Sequence, residues 1–181
     1  IEPGCNDEMR QAMRVAVETP GPFYLRIVRC EVEDNEIAPD YEFRLGQGVT
    51  VIDEGHDIGL VSTGYMVRTA KRAADKLRDR GISVRLDHHP SLKPFDREML
   101  CDMASKVKAI VTLENHCVSG GLFSLVAEAL ALRGMQVPVG AVGTDAEDFI
   151  HTGHVNDLLA HYHMTSDDVV AKAETILREA G

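Results

Sequence analysis

Apolar residues along this chain follow two rhythms, one recurring every third or fourth position and one running in short blocks. The helical rhythm opens the chain. Met9, Ala12, Met13, Ala16 and Val17 share one side of a helix predicted over 7–18, with Asn6 or Asp7 as its cap. Pro20-Gly21-Pro22 stops it, and Phe23 to Val28 is a β-branched and aromatic run of strand length. A helix and a strand alone cannot enclose a core, so this opening reads as the tail of a larger α/β domain. Glu31 to Asp40 is acidic, contains Pro39 and lacks periodicity, which marks a linker.

From residue 46 the two rhythms alternate regularly. Val49–Ile52 and Ile58–Thr63 read as strands, and Tyr65–Arg80 as an amphipathic helix halted by Gly81. Ile82–Leu86 is the next strand, followed by a loop bracketed by Pro90 and Pro94. Asp96 can cap a helix over Arg97–Ala104. Val107–Leu113 is a strand, Leu122–Arg133 a helix ended by Gly134, and Val137–Val142 a strand whose Pro138 places it near a sheet edge. Two helices close the chain, Val155–His161 and Asp167–Glu179, the second opened by the capping-box-like pair Thr165 and Asp168. Strands alternating with helices predict an α/β fold: a three-layer, doubly wound, mostly parallel five-stranded sheet with right-handed crossovers.

Composition narrows the function. A formal charge of −10 opposes nucleic-acid binding, which needs Lys and Arg against phosphates. No run reaches the roughly 20 apolar residues of a membrane span, and no signal peptide opens the chain. These features fit a cytoplasmic protein. The start at Ile1, not Met, points to sequence upstream. Cys5, Cys30, Cys101 and Cys117 form no CxxC or compact framework, so free thiols are expected.

The candidate chemistry is sparse. Ser119-Gly120-Gly121 before a helix could offer backbone N–H groups to an anion, or its glycines could serve close strand–helix packing. Neither a P-loop nor a dinucleotide fingerprint fits its spacing. Glu114 and His116 stand just past a strand end, where parallel sheets place ligands, and could do acid–base work or hold an interface. His88-His89 and the series His151, His154, His161 and His163 lack the Cys or carboxylate partners of a zinc pattern, so no metal site is expected. Arg26 and Arg29 stand three apart in and after the Phe23 run, suited to a phosphate or to salt bridges.

Taken in order, these segments resemble a family. Gly21 to Arg29 resembles the closing strand of the pyrimidine-binding domain in transketolases and deoxyxylulose-phosphate synthases. Asp57 to Gly64 with Tyr65-Met66-Val67 is similar to the first helix junction of their carboxyl-terminal domain. Leu92-Lys93-Pro94-Phe95-Asp96 is similar to the loop that follows. Val111 to His116 with Gly120-Gly121-Leu122-Phe123-Ser124 resembles a further motif, and Asp148-Phe149 and Gly153 match a downstream segment. Phe123 stands where the family has Gly. The likeness covers nearly the whole chain and is strongest to the split, two-subunit transketolases.

The resemblance implies that residues 1–40 are the tail of a pyrimidine-binding domain plus linker, and 41–181 a transketolase C-terminal domain. It implies transfer of a two-carbon ketol unit between sugar phosphates by the complete enzyme, with thiamine diphosphate and Mg²⁺. The family's activating Glu and its pyrophosphate motif are not in this sequence, so the chain alone is expected to bind no cofactor and to serve dimer packing and support. Arg29 matches an arginine that contacts the substrate phosphate, whereas Arg26 reads as structural. Glu114, His116, Gly120 and Gly121 remain an interface or ligand loop, and no residue of the chain is assigned a chemical step. The expected partners are a second copy or an N-terminal transketolase subunit, with sugar phosphates as substrates. Alternatives are a deoxyxylulose-phosphate synthase, a 2-oxo-acid dehydrogenase E1 β fragment, or a non-catalytic subunit-association module.

Overall fold

The computed structural model describes residues 1–30, 37–38, 40–145 and 150–180. Five strands build its sheet: β1 (Val49–Asp53), β2 (Ile58–Ser62), β3 (Val84–His88), β4 (Ala109–Cys117) and β5 (Val139–Thr144), in the order β1-β3-β2-β4-β5. β3, β2, β4 and β5 run parallel, and β1 joins the edge antiparallel to β3. The expected mostly parallel sheet is therefore present, and Pro138 does precede an edge strand.

Helices α1 (Asn6–Glu18), α2 (Met66–Asp79), α3 (Arg97–Ala104), α4 (Leu122–Leu132), α5 (Val155–His161) and α6 (Ser166–Ala180) complete the described elements. Alternation along each strand divides the core between two faces. Leu60, Leu86, Val111 and Leu113 pack beneath α2 and α6 with Leu77 and Val170. Val61 and Ile110 pack beneath α3 and α4 with Leu100, Met103 and Val126. That is the three-layer arrangement. β3 is buried along its whole length although it carries Arg85 and Asp87. The two share a face, and the guanidinium reaches both Asp87 and Asp102 of α3, so the buried charges are paired.

Local signals explain several boundaries. Asp96 accepts from Met99 N at 3.1 Å and caps α3. Thr165 and Asp168 bond reciprocally at the start of α6, as their spacing predicted. β4 runs four residues longer than expected, through Glu114 to Cys117, because Cys117 still pairs with Thr144 beyond an irregularity.

The opening segment departs from expectation in two ways. Phe23 to Val28 joins no sheet among the described residues: Arg26 N donates to Ile1 O at 2.9 Å, Ile1 N to Tyr24 O at 2.9 Å, and no longer ladder forms. A strand needs a continuous partner edge, which the described residues do not provide. Helix α1 begins with Cys5 as its cap, the sulfur accepting from Glu8 N, and not with Asn6 or Asp7. Its buried positions are Glu8 and Ala12, whereas Met13 is 49% and Val17 87% exposed. The predicted stripe is thus split: Ala12 is buried beside Glu8, whose polar bonds fix the inward side, and Met13 and Val17 face away from the domain.

Candidate functional site

In doubly wound sheets, ligands bind beyond the carboxyl ends of the strands, where the strand order reverses. Here the reversal lies between β2 and β4, whose ends remain joined by Thr63 N donating to Leu113 O at 3.2 Å. The chain's own first residues cover this junction. Glu2 O accepts from Gly64 N at 3.1 Å, and Glu2 N donates to Pro90 O at 2.7 Å. Glu2 is buried, and Gly64 has φ +53° with space for no side chain: a Cβ there would stand 2.5 Å from Glu2 Cγ.

A buried polar chain fixes the same segment a few residues on. His88 Nε2 lies 3.0 Å from Glu8 Oε2, and His88 Nδ1 lies 3.4 Å from Ser62 Oγ, with all three residues fully buried. Glu8 Oε2 also accepts from Gly4 N at 2.6 Å. The Tyr41 hydroxyl faces Glu8 outside good hydrogen-bond geometry, and burial, followed by that carboxylate's charge, pushes its pKa up. His89 turns the other way and stacks on Phe95 with ring centroids 4.7 Å apart. Burial holds it neutral by lowering its pKa to about 3, and neither of its nitrogens has a partner among the described residues. The adjacent histidines thus go to a buried hydrogen-bond network and an apolar stack. Among the described residues, no group of three or more His, Cys, Asp or Glu is placed to hold a metal ion.

Glu114, His116, Gly120 and Gly121 line one groove of about 540 Å³, together with Glu2, Arg26 and Lys93. Its acidic member is already engaged: Glu114 accepts from Leu122 N at 2.6 Å and from Phe123 N at 2.9 Å. The acceptor at the N-terminus of α4 is therefore the chain's own carboxyl group. Phe123 takes part through its backbone, so a side chain there is no obstacle. Gly121 is required, since a Cβ would stand 2.5 Å from Cys117 O and 2.8 Å from Glu114 Cδ. His116 is exposed, its Nδ1 3.2 Å from Cys117 O, so it does not share a bond with Glu114.

Burial raises the Glu114 pKa from 4.5 to about 7, against the opposing pull of the two N–H groups and His116. Between those values the folded chain keeps a proton that the unfolded chain has lost. This carboxyl's contribution to stability is therefore complete below about pH 4.5 and is lost as pH rises through about 7. Urea unfolding from about pH 5 to 8 should show the parent falling relative to Glu114→Gln, which cannot titrate. Parallel curves would contradict the assignment.

Arg26 and Arg29 separate. The Arg26 guanidinium pairs with the Glu2 carboxylate and donates to Asn115 Oδ1 at 2.8 Å and Asn115 O at 2.9 Å. Arg29 is exposed on the rim of a second groove, about 350 Å³, between residues 26–29 and α5.

Residues 47–169 match the family described as transketolase, C-terminal domain. The chain belongs to that family. It is 32% identical over 166 residues to an apulose-4-phosphate transketolase subunit of Phocaeicola vulgatus, covering 92% of this chain and 52% of that protein. It is likewise 32% identical to the 1-deoxy-D-xylulose-5-phosphate synthase of Methylacidiphilum infernorum, covering 98% of this chain and 28% of that one. A split-gene transketolase solved as an inactive β4 tetramer superposes with a TM-score of 0.89 and 37% identity, over 97% of this chain and 56% of that one. The chain thus spans about half the length of the transketolase relatives it matches.

Within this transketolase C-terminal domain, the matched positions Asp148 and Phe149 lie outside the described residues. Gly153 lines the groove beside Arg29. Sequence reasoning missed Glu2, Glu8, Ser62 and Asn115. Glu8 looks like an ordinary acidic residue in a first helical turn, and only long-range packing against His88 marks it. The nearest sequence signal was the His88-His89 pair, which has no purpose on an exposed strand end. Among the described residues, no helix is long and apolar enough to cross a membrane.

Proposed function

We propose that the chain is the carboxyl-terminal part of a transketolase that moves a two-carbon ketol unit between sugar phosphates, with thiamine diphosphate and Mg²⁺ bound elsewhere in the complete enzyme. One observation carries this reading. The β2–β4 junction, where a doubly wound domain would hold a ligand, is covered by Glu2, and the helix N-terminus in the groove beside it is already taken by Glu114, which supports a domain that assists a reaction centre held elsewhere. Residues 1–40 are then the tail of the pyrimidine-binding domain and its linker, and 41–181 the C-terminal domain.

Arg29 grips the substrate's phosphate. It is exposed and makes no ion pair or hydrogen bond among the described residues, while its neighbour Arg26 is fully engaged. Both curated relatives carry a phosphate in the name of the compound they act on or make. Glu114, His116, Gly120 and Gly121 line an interface groove, Glu114 and Gly121 building its wall. The partners are a second copy of the chain and an N-terminal transketolase subunit; the split-gene relative is inactive as a β4 tetramer, which fits a half that needs its complement. The place of action is the cytoplasm.

The test compares this chain alone with the same chain as part of the complete enzyme. Alone, it should give no calorimetric signal with thiamine diphosphate and Mg²⁺ and no ketol transfer. The complete enzyme should transfer ketol from a ketose phosphate to an aldose phosphate. Tight cofactor binding by the chain alone, or no transfer by the complete enzyme, defeats the reading. The match to a 1-deoxy-D-xylulose-5-phosphate synthase keeps a second reading, and formation of that product in the same assay would decide for it.

A further inference from the structure

We propose that Asn115 is a positioning residue for Arg29, so that the C-terminal domain helps set the enzyme's affinity for the anionic end of its substrate. The inference rests on the reading of Arg29 as the phosphate contact.

The segment that carries Arg29 has little structure of its own. Its backbone bonds are the short bridge to Ile1, made by Tyr24 O and Arg26 N. No sheet among the described residues holds it, and a segment without a ladder has no fixed register. Ile27, Val28 and Cys30 share a small hollow with Gly4, Cys5 and Tyr65, and what ties the segment to the end of β4 is the Arg26 side chain, clamped by the Glu2 carboxylate and by both oxygens of Asn115. Asn115 lies 89 positions away in sequence, in the last part of β4. It directly follows Glu114, whose carboxylate is fixed by two N–H groups of α4. The clamp is therefore tied to the sheet and to a helix terminus at once.

Arg29 stands three residues beyond this anchor, so the chain can carry it no more than roughly 10 Å away. Asn115 and Arg29 line the same groove, with Ile27 and Val28 between the anchor and the cation. A planar guanidinium takes a tetrahedral anion through two donors only when its fork is aimed at it. A change in the seat of Arg26 therefore changes the aim of Arg29 without touching substrate. Asn115 acts through its side-chain oxygen, as an acceptor, and its carbonyl remains in any variant.

The experiment uses the complete enzyme and reads the ratio of kcat/KM for an aldose phosphate to kcat/KM for the same aldose without phosphate. This ratio is independent of the fraction of enzyme folded, so a merely structural defect leaves it unchanged. Asn115→Ala should lower it roughly five- to tenfold, the scale of losing one ordinary hydrogen bond, since only part of the lost Arg26 contact is felt at Arg29. Asn115→Asp, which keeps an acceptor for Arg26, should restore it, and Arg29→Ala should lower it further. If Arg29→Ala lowers the ratio and Asn115→Ala does not, the positioning role is wrong and the Arg29 reading stands. A loss that Asn115→Asp fails to restore also overturns it. If Arg29→Ala leaves the ratio unchanged, the Arg29 reading itself fails, and the positioning role with it.

Discussion

Replacing Gly121 with alanine is expected to destabilise the chain by about 2–4 kcal/mol, from overpacking together with displacement of a buried hydrogen-bonded carboxylate. The new methyl would stand 2.5 Å from the Cys117 carbonyl oxygen, which is backbone of the adjoining strand and cannot swing aside. It would also press on the Glu114 carboxyl, which alone satisfies Leu122 N and Phe123 N at the start of α4. Moving that carboxyl leaves two donors unpaired at a buried helix end. Gly120→Ala is the control: no atom lies within 4 Å of its Cβ, and only the strain of φ +81° remains. Urea unfolding should rank Gly121→Ala well below Gly120→Ala. A Gly121→Ala variant within about 0.5 kcal/mol of the parent, the range of ordinary surface changes, would refute this account.

Removing Glu8 should cost about 2–4 kcal/mol, the scale of leaving two buried polar groups without their hydrogen-bond partner. Glu8→Ala leaves His88 Nε2 and Gly4 N without their acceptor in a fully buried site. The loss should fall first on the docking of residues 1–30, since α2, α3, α4 and α6 pack on the sheet without Glu8. Hydrogen exchange should therefore quicken in α1 while the amides of β2 and β4 stay protected. A double-mutant cycle with His88→Ala should return a coupling of about 1–3 kcal/mol, as for residues in one polar network. Additive losses, or exchange that quickens uniformly across the sheet, would show that no such link holds the segment in place.

Much of the fold was legible because it depends on local rhythm. β2, α2, α3 and α4 fall within two residues of the spans their apolar spacing predicted, and Asp96 and Thr165 announced their helices by chemistry that needs no distant partner. Phe23 to Val28 misled because strand composition states a willingness to pair and not the presence of an edge to pair with. Helix α1 misled differently. Its Met13 and Val17 do form an apolar stripe, but which stripe is buried depends on His88, 80 positions from Glu8. At the site, Glu114, His116, Gly120 and Gly121 were found as a set since they adjoin one strand end, and they do share a groove. What sequence left open was whether the helix N-terminus there awaited an anion. Glu114 settles that, eight residues before the N–H group it satisfies. Asn115 gave no signal, because its work is with an arginine far upstream.

The residues seated over the β2–β4 junction have a further consequence for any small molecule aimed at this domain. A covalently attached occupant competes at an effective concentration of about millimolar, the scale for short intramolecular connections. Glu2 adds hydrogen bonds at both its N–H and its carbonyl to that advantage. An effector entering there must displace a tethered competitor, and success would loosen the very segment that bears Arg29. With Arg29 as the proposed phosphate contact, inhibition at this crevice would look like weakened substrate affinity, produced from a distance by prising the chain off its own sheet.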